Sequence, residues 1–65
     1  MEDARHLMAS ARTLADRGEL RHALELTARA TALAPALGSA WHLHGLLNLR
    51  FGRLHDARDA LARAH

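Results

Sequence analysis

The chain has 65 residues, 49% of them hydrophobic, no cysteine and a formal charge of +2. A chain of this length is expected to form one domain or a piece of one, marginal alone because a domain this short buries only about 60% of the surface its unfolded form exposes. The composition excludes disulfides, zinc–thiolate centres and a thiol nucleophile, and no apolar run approaches the ~20 residues of a membrane span.

The breakers are few, Gly18, Pro35, Gly38, Gly45 and Gly52, and they cut the chain into four segments of helical length dominated by Ala and Leu, both strong helix formers. Val, Ile and Tyr are absent, so strands have almost no support. The first helix is predicted from about Asp3 to Arg17, with Ala4, Leu7, Met8, Ala11, Leu14 and Ala15 on one face. Glu2 and Asp3 sit where the helix dipole favours negative charge, and Gly18 supplies a left-handed stop. The second helix is predicted from Glu19 to about Ala34, with a stripe of Leu20, Ala23, Leu24, Thr27, Ala30 and Ala34. Arg21, Glu25 and Arg29 line its opposite, solvated side. The third is predicted from about Ser39, a candidate N-cap, to Phe51. It is apolar almost all round, so it is expected to be the most buried. The fourth runs from Arg53 to the end, with Leu54, Ala57, Leu61 and Ala64 inward and Asp59–Arg63 as an i,i+4 pair outside.

A shift of 34 residues lays the chain on itself. Gly18 falls on Gly52, Leu20 on Leu54, Ala23 on Ala57, Ala28 on Ala62, Arg29 on Arg63 and Ala30 on Ala64. In the first helix of each unit, Leu7 meets Trp41 and Ala11 meets Gly45. The second unit reads Trp41, His44, Gly45, Asn48, Ala57, Leu61; the first reads Leu7, Ser10, Ala11, Leu14, Ala23, Thr27, Pro35. This pattern resembles the tetratricopeptide repeat, a helix–turn–helix unit with small residues where its paired helices touch. His44, Asn48 and Thr27 depart from it, where the family has Leu, Tyr and Phe. The resemblance implies an all-α fold of two tandem helical hairpins, a short right-handed α-solenoid. One domain covers 1–65, with repeats at about 4–37 and 38–65 and no capping helix. A four-helix bundle would share the helix count and the loops.

The histidines do not suggest a metal or catalytic site. His42 and His44 point roughly 200° apart on a helix, and none of His6, His22, His42, His44, His55 and His65 pairs at i,i+3 or i,i+4. In the repeat register His44 faces the partner helix, where a half-buried ring hydrogen-bonded to backbone is expected. Neither Ser10 nor Ser39 has a nucleophile-elbow context, and there is no phosphate loop, so no enzyme and no cofactor is expected.

The resemblance implies a module that binds peptide segments in a concave groove or assembles proteins. Its groove positions carry over to Arg5, Met8, Arg12 and Asp16 in the first unit and Ser39, His42, Leu46, Leu49 and Arg50 in the second. The mixture suggests a ligand with an acidic group and an apolar anchor. Some family members clamp a terminal carboxylate with Lys and Asn, but Met8, Arg12 and Leu43 stand at the comparable places, so that activity is not carried over. A second expectation is self-association through the uncapped end, by Leu54, Ala57, Ala60, Leu61 and Ala64, giving a homo-oligomer. The chain also reads as a fragment of a larger repeat-containing regulator. A helix-turn-helix DNA binder is disfavoured, because nine arginines are interleaved with seven carboxylates. The start MEDARHLM lacks a secretion signal, so a cytoplasmic protein is expected, and the Arg-only, Ala-rich usage suggests a GC-rich bacterial genome.

Overall fold

The structure of the chain, a computed structural model, describes residues 3–64. Glu2 and His65 lie outside the described residues. Four helices follow in order: α1 (Ala4–Asp16), α2 (Leu20–Leu33), α3 (Gly38–Arg50) and α4 (Leu54–Arg63). No strand occurs among the described residues.

Asp3 caps α1, its carboxylate accepting from the Arg5 N–H at 2.9 Å. Ser39 is not a cap: α3 begins one residue earlier, after Leu37, and no side chain bonds to its first amides. Both hairpins turn identically. Gly18 and Gly52 take φ +82° and +77°. Each amide bonds three residues back, to Ala15 and Leu49, and the next amides, of Glu19 and Arg53, bond five back to Leu14 and Asn48. This is the Schellman closure, which needs a residue in the left-handed region. A Cβ on either glycine would meet nothing within 4 Å. Gly52→Ala therefore costs only backbone strain, about 1–2 kcal/mol, and the urea midpoint is expected to fall accordingly. Gly18→Ala should match it, as the 34-residue period requires of equivalent turns.

The helices form two tandem hairpins. α1 packs on α2, α3 on α4, and α2 joins the hairpins by packing on α3, helped by a smaller α1–α3 contact. Among the described residues α4 packs on neither α1 nor α2. A closed four-helix bundle would bring first and last helices together; this stack is open.

Small residues set the close contacts. Ala11 and Ala23 are fully buried where α1 meets α2. In the second hairpin a Cβ on Gly45 would run into the Leu61 side chain and crowd the Ala57 carbonyl, and one on Gly38 would strike the Ala64 carbonyl. The most buried helix is α2, not α3. Wedged between α1 and α3, it buries a wide arc, adding Leu26 and Thr31 to Ala23, Leu24, Thr27 and Ala30. The surplus apolar side chains of α3, Leu46 and Leu49, face outward at 41% and 48% exposure.

Candidate interaction surface

The α1–α3 side carries most of the residues assigned to a groove. Arg5, Met8, Arg12 and Ser39 line its upper part. Arg12, Asp16, Leu46, Leu49 and Arg50 line a lower depression of about 370 Å³, over Leu43 and Leu47. Arg12 belongs to both, so the two parts are continuous. Met8 is buried and forms floor rather than rim. His42 is not in this groove. It lines an adjoining depression with Gly38, Ser39, Leu61 and Ala64, which meets the upper part of the groove at Ser39. The groove thus joins an exposed leucine pair to Arg5, Arg12 and Arg50, with Asp16 the single carboxylate among these lining residues.

The residues expected to self-associate divide. Ala57 and Ala60 are buried, and α4 packs on α3 alone, so both are spent inside the second hairpin. Their methyl groups are what let α4 close on the Gly45 backbone. Leu61 and Ala64 are half-buried, and Leu54 is 64% exposed.

A furrow of about 610 Å³ between α2 and α4 has no counterpart in the sequence reading. Trp41, His44 and Asn48 lie in it, between Arg21 and Glu25 of α2 and Asp56, Asp59 and Arg63 of α4. Arg21 and Glu25 read as a solvated helix side. Only the stacking of the hairpins sets them opposite residues more than thirty positions away. The Asp59–Arg63 pair does not form. Arg63 stacks over the Trp41 ring at 5.1 Å, and Asp59 lies 3.9 Å from Nε2 of His55. Trp41 is fixed from the other side, its Nε1 donating to the Pro35 carbonyl at 2.8 Å. A cation over an indole face is worth about as much as an exposed ion pair and demands less exact placement.

The three departures from the repeat pattern meet in space. Nδ1 of His44 lies 2.8 Å from the Thr27 hydroxyl, and Asn48 Nδ2 donates to the His44 carbonyl at 3.0 Å. Thr27 is fully buried, and its hydroxyl also donates to the Leu24 carbonyl at 3.1 Å. That hydroxyl has one proton and two neighbours, so which of Thr27 and His44 donates follows the ring's tautomer. The partner of His44 is therefore a side chain, not the backbone expected. The Trp41 ring stands edge-on to His44, with centroids 6.3 Å apart. Burial pushes the His44 pKa below the ordinary histidine value, and Asp56 opposes that shift. Burial therefore favours the neutral ring.

No three His, Asp or Glu side chains among the described residues are grouped to hold a metal ion. No helix among them is long and apolar enough to cross a membrane. No family model, characterised protein or solved structure matches the chain.

Proposed function

We propose that the chain is a non-enzymatic protein-interaction module of the tetratricopeptide kind, whose α1–α3 groove takes a peptide segment of a partner protein. The carrying observation is the exposed pair Leu46 and Leu49, held beside Arg12 and Arg50 on a helix that leaves other apolar side chains inside. Apolar side chains in a depression rimmed by arginine suit an apolar anchor next to a carboxylate. The turn geometry repeating at 34 residues supports the repeat reading. The mixed charge of the α2–α4 furrow, three arginines against three carboxylates, supports a protein partner over a nucleic acid. In a longer regulator the same groove would serve the same role.

The test is amide chemical-shift mapping with an extended peptide that places a leucine beside a glutamate. Shifts are expected along α1 and α3, with Arg12→Glu weakening binding about ten-fold, the scale of one lost charge-assisted contact. Binding indifferent to Arg12→Glu and Leu46→Asp, or none at millimolar peptide, would remove the groove from consideration.

A further inference from the structure

The repeat lets the second hairpin be compared with the first, position by position. In the first, the face beyond α1 and α2 is covered by α3. Met8, Leu24, Thr27 and Ala30 are buried there, and Leu20 is half-buried. Adding 34 to each gives His42, Arg58, Leu61, Ala64 and Leu54. His42, Arg58 and Leu54 are exposed, and Leu61 and Ala64 are half-buried. Leu54, Arg58 and Leu61 fall on one stripe of α4, at spacings of four and seven. His42 of α3 faces the same side. Between the two helices lies the depression lined by His42, Leu61 and Ala64. This face has the shape that receives a helix in the first hairpin, and no described residue covers it.

Its charge identifies the occupant. Arg58 stands where the first hairpin has Leu24, and His42 where it has Met8. The carboxylates of α4, Asp56 and Asp59, line the furrow on the opposite side. The open face is therefore leucine-rich with a basic flank. Two copies meeting face to face would set one arginine-bearing face on another, with Asp56 and Asp59 turned away into the furrow and so not available to pair with Arg58. Head-to-tail stacking fails for another reason. α3 docks on the first hairpin through Ala40, Leu43, His44 and Leu47, whereas the equivalent α1 positions are His6, Ala9, Ser10 and Thr13, a polar, mostly exposed stripe.

We propose that the open face of the second hairpin, from Leu54 and Arg58 to His42, docks an amphipathic helix of a partner protein that has an apolar stripe and an acidic flank. This site is distinct from the α1–α3 groove and rests on the two-hairpin fold alone. Helix-in-groove recognition supplies the affinity through leucine burial, and Arg58 supplies the choice of partner.

The test uses the full chain and two synthetic helical peptides that share the Ala/Leu spacing of the α3 docking stripe. One carries glutamate flanks and the other lysine flanks. Amide shifts with the glutamate peptide are expected on α3 and α4. Leu54→Asp should weaken binding about ten-fold, and Arg58→Glu should reverse the preference in favour of the lysine peptide. Arg12→Glu should leave it unchanged, separating this site from the groove. Both face substitutions lie at exposed positions, and helicity checks that each variant folds. Absence of binding by either peptide, equal binding of both, or indifference to Arg58→Glu would overturn the proposal. So would light scattering that shows a dimer which Leu54→Asp converts to monomer, since the face would then belong to a second copy.

Discussion

Leu47→Ala is expected to remove a large share of the domain's stability, about 2–5 kcal/mol. Leu47 is 2% exposed and sits in the core cluster shared by α1, α2 and α3. Truncation removes its transfer free energy and leaves a cavity between elements that cannot fully collapse, costing about 2–5 kcal/mol. A domain of 65 residues has only about 3–10 kcal/mol to lose. Two positions on, Leu49→Ala removes the same atoms from an exposed site and should change stability by no more than about 0.5 kcal/mol. Urea unfolding followed by helicity compares them. Equal losses from the two variants would mean that Leu47 is not at the seam between the hairpins.

The second large effect belongs to the polar seam. Thr27→Val keeps the shape of a fully buried side chain but removes the hydrogen-bond partner of His44 Nδ1. A half-buried ring nitrogen is left without a partner, at a cost of about 1–3 kcal/mol. His44→Leu alone is milder, because the Thr27 hydroxyl keeps the Leu24 carbonyl as acceptor. The double substitution should cost less than the sum of the singles, with a coupling of roughly 0.5–3 kcal/mol. Additive losses would show that the two side chains do not bond.

The same seam fixes a pH dependence. Burial lowers the His44 pKa in the folded chain, with Asp56 opposing. Above the unfolded value of about 6.5, the ring is neutral in both states and the stability is fully present. As the pH falls through that value the unfolded chain binds the proton first, so folding weakens. The loss continues until the pH has passed below the folded pKa. His44→Leu should flatten this slope.

Much of the fold is legible in the sequence because the breakers are few. Gly18 and Gly52 stop the helices where a left-handed residue is required, and helix boundaries agree within a residue or two. Burial was less legible. A single stripe was visible on α2, but a helix between two neighbours buries a wider arc: Leu26 extends it on one side, and Thr31 lies on the stripe itself beside Leu24 and Thr27. On α3 apolar residues all round suggested burial, whereas Leu46 and Leu49 face the groove. Thr27, His44 and Asn48 each looked like a weakness in the repeat, and only the contact across 17 residues between Thr27 and His44 shows them to be mutual partners. Of the positions the register assigns to a groove, most line the α1–α3 depressions, and His42 lines the adjoining one toward α4. The α2–α4 furrow could not be read, because its walls meet only through the stacking of the hairpins.

The central structural claim is that the stack is open, with α4 held by α3 alone. Native-state amide hydrogen exchange tests it directly. The interior amides of α4 are expected to exchange through local opening, on the order of ten-fold or more faster than those of α2, which is packed on two sides. Equal protection in α2 and α4, at the level of global unfolding, would mean that α4 is sealed by further contacts and that the four helices close as a bundle.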